Sequence, residues 1–387
     1  MNRQRAMVFG SIVGLAILIV IGVWAVRNLQ LAPGAPIEIS ILYSTEKEGW
    51  LNDLAPLFEA TRPHVDGRPI RLVLKKMGSR EMYLAVLDGA EKPDLISPAS
   101  SLQVSILEDM SEGKFGRPIV RAEDTAVCRS ALSTPLVLVA WQERADALWG
   151  RQASDDLWKR LHDAVSHPQG WEALGRPEWG YVKFGHTDPR RSNSGLQTIV
   201  LMTYDYFGKT SGLASADILS DAGYQRWFLE IEKSISQFGD STGNYMKDIV
   251  AYGPSMYDLV AVYESVAIEQ AANAAGRYGA LRVYYPPATL MSDHPFCVLS
   301  ADWVTPEKAR AAQVFVDFLL SRPAQELAFQ KHGYRPVDAG IALDQAGGPF
   351  ARYAANGLRI DLPKQVETPS GNVLNTLLDF WSRNVQK

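Results

Sequence analysis

The sequence predicts an α/β protein with two lobes, preceded by one membrane-spanning helix. Short strands alternate with helices along most of the chain, which indicates a mostly parallel sheet covered by helices. A length of 387 residues exceeds what one simple core needs and is sufficient for two lobes. An uncharged apolar run covers residues 6–26, so the lobes are expected to begin after it.

The apolar run fits a transmembrane anchor that comprises residues 1–27. A helix rises about 1.5 Å per residue, so a run of this length crosses a hydrocarbon core of roughly 30 Å. Arg3 and Arg5 precede the run, and Arg27 follows it directly. By the positive-inside rule, the N-terminus is expected in the cytoplasm and the remainder of the chain outside, in the periplasm or extracellular space.

A cleaved signal peptide is the alternative to an anchor. Its apolar region is usually about 7–15 residues long and ends in a cleavage site of small residues. The run in this chain is longer, and Trp24 and Val26 are too large for such a site. No Cys follows the run directly, which excludes a lipoprotein anchor. Residues 28–36 contain Pro33 and Pro36 and are predicted to form a short stiff linker.

Composition and charge are those of an ordinary globular protein. The apolar fraction is 47% and the charged fraction is 21%. The 39 basic and 43 acidic residues give a formal net charge of −4, without the basic stripe that binding to nucleic acid requires. The chain has no H-E-x-x-H motif and no complete phosphate-binding loop. We therefore expect no nucleic acid, no resident metal and no cofactor.

The alternation of strands and helices begins directly after the linker. Residues 37–43 alternate as a strand, and Thr45 with Glu48 forms a capping box that opens a helix. The elements that follow are strand 70–74, helix 81–87, strand 94–96, a helix from about 102, strand 134–141, helices 158–165 and 171–174, strand 181–184, helices 195–206, 225–234, 243–250 and 255 to about 275, strands 281–285 and 296–299, and helices 305–320, 322–331 and 373–381.

A recurring feature predicts a binding site: a strand ends in Ser or Thr directly before a helix. This pattern occurs at 44–45, 97–101, 186–194, 241–242 and 255. Helix N-termini carry unpaired N–H groups and partial positive charge, so several of them at one crevice can bind a polar ligand. Each Ser or Thr can instead simply cap its own helix. Five such ends in one α/β chain favour a shared crevice between the sheets.

The densest polar loop covers residues 185–195 and offers hydroxyls, an amide, a helix N-terminus and two arginines. An anionic ligand group can use all of these donors. Arg190 and Arg191 can also form a solvated pair of charges that binds nothing. Hydroxyl-rich loops suit tetrahedral oxyanions, whereas Glu46, Glu48 and Asp188 near the same helix ends disfavour a bare dianion. The sequence therefore leaves the identity of the ligand open.

A serine hydrolase is the enzyme alternative. The segment 239–243 matches the G-x-S-x-G nucleophile elbow around Ser241, and Asp258 or Asp293 with His294 supplies the order Ser, acid, His. The match is weak because the preceding residues form only a marginal strand and the chain has no oxyanion loop of the HGGG type. Adjacent Asp293 and His294 are also badly placed to hydrogen-bond through the ring. We therefore expect that the chain is not an enzyme.

Tyr284 and Tyr285 raise the question of a ferric site, because hard Fe³⁺ prefers phenolate and carboxylate oxygens. The pair lies in a predicted strand, where successive side chains point to opposite faces. A metal role is therefore not expected.

Cys128 and Cys297 are the two cysteines of the chain. An oxidising compartment permits a disulfide, but sequence alone does not show that the two residues approach each other. Two buried thiols are an equal alternative at this point.

These motifs resemble those of bacterial extracellular solute-binding proteins of the type II periplasmic-receptor fold, which serve ABC transporters. The resemblance covers nearly everything after the anchor. It rests on Ser44-Thr45-Glu46-Lys47, Phe184-Gly185-His186-Thr187-Asp188-Pro189 with Ser192-Asn193-Ser194-Gly195, Gly239-Asp240-Ser241-Thr242-Gly243, Tyr263-Glu264, Ser292-Asp293-His294-Pro295 and Gly333-Tyr334-Arg335-Pro336-Val337.

The chain is similar, more narrowly, to a subset of these receptors that are joined to, or encoded beside, a von Willebrand factor A domain. This similarity lies in the closing segment from Pro369 to Trp381. The chain has no D-x-S-x-S sequence for the metal site of that domain, so the resemblance assigns metal-dependent adhesion to a partner.

The resemblance implies a two-lobed architecture with two hinge crossings, near Pro135 and Pro295. Lobe I would contain residues 37–135 and 295–387, and lobe II would contain residues 136–294. Cys128 and Cys297 lie beside the two crossings, which favours a disulfide between them. The implied mechanism is closure of the two lobes around a ligand.

The resemblance also implies which residues contact a small polar solute. They are Ser44, Thr45 and Ser97 from lobe I, and Thr187, Asp188, Ser192, Asn193, Ser194, Ser241 and Thr242 from lobe II. The expected partner is an ABC permease or a sensing complex. Receptors that serve transporters are typically free or lipid-anchored, so the transmembrane helix keeps a second hypothesis open. In that hypothesis, the chain is an interaction module for a von Willebrand factor A domain protein.

Overall fold

The computed structural model describes residues 16–17, 19–20, 34–150 and 155–385. Nearly all of the predicted anchor at 1–27 and most of the predicted linker at 28–36 lie outside the described residues. Within the described ranges, no helix is long and apolar enough to span a bilayer.

Strands and helices alternate along the described chain. The strands are β1 (Ile37–Ser44), β2 (His64–Val65), β3 (Arg68–Met77), β4 (Leu95–Ser97), β5 (Cys128–Ser130), β6 (Leu132–Trp141), β7 (Phe184–Gly185), β8 (Leu259–Tyr263), β9 (Leu281–Tyr284), β10 (Ala288–Thr289), β11 (Met291–Ser292), β12 (Pro295–Val298), β13 (Arg335–Pro336) and β14 (Lys364–Gln365). The α-helices are α1 (Glu48–Ala60), α2 (Ser79–Asp88), α3 (Ser101–Phe115), α4 (Gln142–Leu148), α5 (Leu157–Ser166), α6 (Asn193–Tyr206), α7 (Ser215–Ser220), α8 (Ala222–Ser234), α9 (Thr242–Tyr252), α10 (Glu264–Ala275), α11 (Pro306–Leu319), α12 (Arg322–His332), α13 (Pro349–Arg352) and α14 (Gly371–Asn384).

Lobe I is built on a six-stranded sheet in the order β2-β3-β1-β4-β12-β5. β1 pairs in parallel with β3 and β4, whereas β12 pairs antiparallel with β4 and β5. Ile37, Ile39 and Ile41 of β1 are buried and pack with Trp50 of α1 and Phe315 of α11 in one core. The alternation in this part of the sequence therefore reflects one strand face packed under helices.

Lobe II is built around β6. Its sheet has the order β11-β6-β8-β7, and β9 and β13 also pair with β6. From Thr134 to Trp141, every residue of β6 is buried, because this central strand is covered on both faces. Helix α6 is buried over most of its length and lies inside the lobe.

The chain passes from the lobe I sheet to the lobe II sheet between β5 and β6, and it returns between β11 and β12. The two passages contact each other, because the Ala131 N–H donates to the His294 carbonyl over 3.3 Å. His294 has a φ of 42°, an uncommon backbone conformation for a residue other than glycine. Beside the passages, Cys128 and Cys297 lie directly opposite each other in β5 and β12 and are disulfide-bonded.

The C-terminal segment packs differently from the expected division, which placed all of 295–387 in lobe I. After α12, β13 pairs with β6, and the chain then continues along lobe II. Helix α14 packs against α6 and α7 of lobe II. Its Leu374, Leu377 and Trp381 are buried in the lobe II core, and the Trp381 Nε1 donates to Glu232 over 2.5 Å. The chain therefore passes between the lobes three times.

One predicted helix is wrong in part. The sequence pattern predicted a single helix from Ser255 to about 275, whereas the structure has strand β8 at Leu259–Tyr263 before α10 begins at Glu264. All five residues of β8 are buried, and a short apolar run of this kind fits either a buried helix or a central strand. The Asp258 carboxylate, three residues after Ser255, accepts hydrogen bonds from Arg144 and Trp171 and does not cap a helix.

Candidate functional site

The ten residues predicted to contact a ligand all lie at the interface between the two lobes or directly beneath it. They are at most 8% exposed. The turn from β1 to α1 and the turn from β4 to α3 approach from lobe I, and the N-termini of α6 and α9 approach from lobe II. The Gly243 N–H donates to the Thr45 hydroxyl over 3.2 Å, and the Gln103 side-chain amide donates to Asn193 over 2.9 Å. The structure is therefore in a closed arrangement.

The Ser residues at the lobe II helix ends do not act as ordinary helix caps. Ser192 and Ser241 occupy the N-cap positions of α6 and α9, but in the described structure neither side chain accepts a hydrogen bond from its helix. Ser100, in the turn from β4 to α3, and Thr305, away from the interface, do accept such bonds, from the N–H groups of Leu102 and Lys308. The hydroxyls of Ser192 and Ser241 therefore leave the first-turn N–H groups for another acceptor.

Four hydroxyls of lobe II form a connected cluster. The Thr187 and Ser194 oxygens lie 2.8 Å apart, and the Ser194 and Thr242 oxygens lie 2.7 Å apart. Ser192 contacts the Thr242 hydroxyl at 3.2 Å. Each hydroxyl can donate or accept, so the cluster can turn its protons toward a ligand that needs donors or its lone pairs toward one that needs acceptors.

Several buried polar atoms near the interface have no hydrogen-bond partner among the described residues. They include the hydroxyls of Ser97 and Ser241, the side-chain carbonyl of Gln103 and the His294 Nε2. Buried polar groups in native proteins are nearly always paired, and an unpaired group costs about 1–3 kcal/mol. These atoms are therefore available as hydrogen-bond partners for a molecule between the lobes.

An ion pair lies at the base of the interface and was not predicted from the sequence. The Lys47 ammonium is fully buried and contacts the Glu46 carboxylate at 3.4 Å, the Pro98 carbonyl at 3.2 Å and the His294 ring at 3.3 Å. Ser44 donates to Glu46 and accepts from Lys47. The Ser44 hydroxyl proton is thus already used, and this residue can only accept a hydrogen bond from a ligand.

The pKa values in this group follow from burial and the paired charges. Burial would raise the pKa of Glu46, but the charge of Lys47 and the hydrogen bonds from His294 and Ser44 lower it to about 2. Burial lowers the pKa of Lys47 to about 8, although Glu46 opposes the shift. Burial and the charge of Lys47 lower the pKa of His294. At neutral pH, the group therefore contains one carboxylate, one ammonium and one neutral imidazole.

Asp188 and the two arginines of the polar loop are occupied by other partners. The Asp188 carboxylate accepts hydrogen bonds from the main-chain N–H and the side chain of Arg190 at 2.8 and 3.0 Å. Arg191 pairs with Asp240 of lobe II and lies 3.7 Å from Glu81 of lobe I. Asp188 thus holds the turn that precedes α6, and Arg191 links the two lobes at their edge.

Two parts of the predicted Ser/Thr pattern face away from the interface. Ser255 is exposed and donates to the Tyr252 carbonyl over 2.6 Å. The buried His186 ring contacts Glu232 at 2.9 Å and the Thr187 carbonyl at 2.7 Å, within lobe II. Four of the five predicted Ser/Thr segments therefore meet at the interface, and the one at Ser255 does not. The segment at 241–242 follows a helix and a loop and is not preceded by a strand.

Side chains from outside the predicted set complete the site. The Asn193 amide donates to the Tyr263 hydroxyl at 3.0 Å and to Ser292 at 3.2 Å, and Gln197 donates to Ser292 at 3.1 Å. Burial raises the pKa of the Tyr263 phenol, which stays neutral. Tyr263 and Ser292 belong to the motifs on which the family resemblance rests, so these motifs could have identified the two residues as part of the site. Gln103 and Gln197 lie inside helices and had no such signal.

The geometry does not support a hydrolase. The Ser241 hydroxyl has no hydrogen-bond partner among the described residues, so no base contacts it there. Asp258 is bound to Arg144 at 2.8 Å and to Trp171 at 2.9 Å. His294 is held by Lys47, and Asp293 accepts from the Ser101 N–H at 2.8 Å. A nucleophile needs an adjacent base that a third group orients, and these residues do not form that chain.

The tyrosine pair does not form a metal site. Tyr284 donates to the Gly150 carbonyl, and Tyr285 donates to the Glu264 carboxylate. Within the described ranges, no group of three or more His, Cys, Asp or Glu side chains is placed to hold a metal ion.

Comparison with known sequences identifies one family. The model of a family of bacterial extracellular solute-binding proteins matches residues 39–335, which is well over half of the chain. A search of curated proteins gave no match.

Several solved structures share the fold. A periplasmic thiamin-binding protein aligns with a TM-score of 0.61 at 12% identity, over 91% of this chain and 97% of its own. The sulfate-binding protein SubI from Mycobacterium tuberculosis H37Rv aligns with a TM-score of 0.56 at 17% identity, over 89% and 96% of the two chains. Iron-bound HitA from Pseudomonas aeruginosa aligns with a TM-score of 0.55 at 17% identity, over 91% and 100%. At these identities, the similarity shows the fold alone.

Proposed function

The chain belongs to the bacterial extracellular solute-binding protein family, and we propose that it captures a small polar solute between its two lobes. Its α/β fold is similar to that of type II periplasmic binding proteins, and its family is one of binding proteins rather than enzymes. The observation that carries the proposal is the set of buried, unpartnered hydroxyls at the interface, Ser97 from lobe I and Ser241 from lobe II. A solute that contacts both lobes stabilises the closed arrangement, because the open one offers it only half of these partners.

The solute should contact residues of both lobes. In this proposal, the contacts come from Ser44, Thr45 and Ser97 of lobe I and from Thr187, Ser192, Asn193, Ser194, Ser241 and Thr242 of lobe II, with Asp188 holding the turn. Lys47 and Gln103 join this set, the first through Ser44 and the second through its unpaired carbonyl.

The charges near the site favour a solute rich in oxygen over a bare metal ion. Glu46 is paired with Lys47, and Asp188 is paired with Arg190. What remains is a set of neutral hydroxyls, amides and helix N–H groups. Among the solutes named for the structural neighbours, an oxyanion such as sulfate fits these donors better than ferric iron, which prefers anionic oxygen ligands.

A screen of oxyanions, sugars, amino acids and metal ions tests this function. At a concentration one hundred times its Kd, a true solute should raise the free energy of unfolding by about 2.7 kcal/mol. The measurement is thermal unfolding of the full chain in detergent. The double variant S97A/S241A should lose this stabilisation, whereas S255A, which removes an exposed hydroxyl away from the site, should keep it.

If no solute stabilises the wild-type chain, the capture proposal fails. The alternative is then an interaction module for a von Willebrand factor A domain protein, a partner that only the resemblance of residues 369–381 supports. If capture holds, the partner is an ABC permease or a sensing complex that recognises the closed lobes.

We further propose that the chain is tethered to the membrane by the run at residues 6–26, with its lobes in the periplasm or extracellular space. The support is the length of the run and the Arg residues on both sides of it. Membranes washed with alkaline carbonate should retain the whole chain, and N-terminal sequencing should start at residue 1 or 2. Release of a shortened chain that begins after residue 26 would show that the segment is a cleaved signal.

A further inference from the structure

His332 joins the two lobes away from the solute site. It is the last residue of α12 in lobe I and is 3% exposed. Its Nε2 lies 2.8 Å from the Asp53 carboxylate on α1, also in lobe I. Its Nδ1 lies 2.9 Å from the Glu269 carboxylate on α10, in lobe II. One imidazole ring thus bridges carboxylates that belong to different lobes.

Both contacts are hydrogen bonds only when the ring carries two protons. A neutral imidazole has one N–H donor, and its other nitrogen presents a lone pair. An ionised carboxylate only accepts, so a neutral ring would leave one nitrogen facing a carboxylate without a proton between them. The imidazolium donates to both carboxylates and forms two charge-assisted hydrogen bonds. The geometry therefore fits the protonated ring.

His332 contacts one carboxylate in each lobe. Because of the charges around the ring, mainly the contact with Glu269 of lobe II depends on the ring proton. Lys331, the preceding residue of α12, lies 2.6 Å from the same Asp53 oxygen, so Asp53 keeps a cation when the ring is neutral. Among the described residues, Glu269 forms no ion pair other than the one with His332. The nearby Tyr334 phenol is buried, which raises its pKa and keeps it neutral. Loss of the ring proton therefore weakens mainly the bond to lobe II.

The bridge also lies where the lobes approach closely. A Cβ atom at Gly49, in the first turn of α1, would lie 2.2 Å from the Glu269 carboxylate and 3.0 Å from the His332 ring. Helix α10 of lobe II packs against α12 of lobe I at this place. Opening of the lobes that separates these helices breaks the contact between His332 and Glu269. The bridge thus belongs to the closed arrangement.

We propose that protonation of His332 strengthens closure of the two lobes, so that the protein closes more readily at acidic than at alkaline pH. By linkage, closure favours the protonated ring, so the closed fraction falls as pH rises. This inference goes beyond solute capture and does not depend on which solute is bound.

The test measures the distance between the lobes without solute. Cys128 and Cys297 are disulfide-bonded, so new cysteines at the exposed Leu57 of lobe I and Leu219 of lobe II can be spin-labelled selectively. Pulsed electron resonance on the full chain then reports the fraction at the distance of the closed structure. Between about pH 8 and about pH 5.5, the ratio of closed to open protein should rise about tenfold.

Two variants decide whether His332 is responsible. H332Q cannot take up the proton, and E269Q removes the carboxylate of lobe II, so both should lose the pH dependence. H64Q, which changes an exposed histidine of lobe I, should keep it. A wild-type ratio that does not change with pH, or a change that persists in both H332Q and E269Q, overturns the proposal. Stabilisation by a solute at one fixed pH is a separate measurement, so failure here leaves the capture function standing.

Discussion

Replacing Lys47 by methionine should lower the free energy of unfolding by about 3–5 kcal/mol. Lys47 is fully buried, and its ammonium is the cation beside the buried Glu46 carboxylate. Methionine fills a similar volume, but it leaves Glu46 charged in a site that water does not reach. Such a carboxylate must either remain unpaired or take up a proton, and both cost free energy. Unfolding of the full chain in urea at neutral pH measures the effect.

The matched variants separate the charge from the packing. The double variant E46Q/K47M removes both charges and should recover most of the lost stability, because replacement of a whole buried pair is often neutral. K159M removes a surface lysine paired with Asp163 and should stay within about 0.5 kcal/mol of the wild type. If the free energy of unfolding of K47M also stays within about 0.5 kcal/mol of the wild type, Lys47 does not compensate the buried charge of Glu46.

The ion pair of Glu46 and Lys47 should make the folded protein less stable as pH falls. The pKa of Glu46 is lowered to about 2 in the folded protein, so the unfolded chain binds its proton first as pH falls. The stabilisation is complete above the ordinary glutamate pKa of about 4.3 and is lost as pH falls toward 2. The E46Q/K47M variant should show a smaller loss over this interval than the wild type.

The positions of the turns at the lobe interface could be predicted from the sequence because their signals are local. A strand that ends in Ser or Thr before a helix is visible within a few residues, as at Ser44. Parallel sheets then place such ends at the same edge. Ser255 shows the limit of this signal, because a Ser with an acidic residue three positions later does not guarantee a helix.

The burial of Lys47 could not be predicted in the same way. In sequence, it is a lysine at the start of a helix, where solvent exposure is the usual outcome. It is buried because the Pro98 carbonyl and the His294 ring close over it from two distant parts of the chain. The pairing of Cys128 with Cys297 has the same origin, since the two residues are 169 positions apart and meet only through the register of β5 and β12.

The sequence pattern also could not predict against which lobe the C-terminal helix packs. The apolar face of the predicted helix 373–381 indicates that it packs against another surface, but it does not identify that surface. The choice of lobe II depends on contacts such as that of Trp381 with Glu232, whose carboxylate also binds His186. Local sequence therefore predicted the elements, and long-range contacts decided their assembly.

Replacing Gly243 by alanine should shift the protein from the closed to the open arrangement by at least about tenfold, which corresponds to about 1.4 kcal/mol. A Cβ atom at this position would lie 2.6 Å from the Thr45 carbonyl carbon and oxygen and 2.7 Å from the Glu46 nitrogen. These are backbone atoms of lobe I, which cannot rotate away as a side chain can. The lobes must therefore separate, and the bond from the Gly243 N–H to Thr45 is lost.

In G243A, the closed fraction should fall, whereas the stability of lobe II should not. Gly243 lies in α9, where alanine is favoured over glycine by about 1 kcal/mol, so lobe II itself should not be weakened. G113A places the same change in α3 with no atom within 4 Å of the new Cβ, and it should leave closure as in the wild type. The measurements are the closed fraction from spin labels on the two lobes and, once a solute is known, its affinity. If G243A closes and binds like G113A, the contact between α9 and the Thr45 turn is not part of the state that holds the solute.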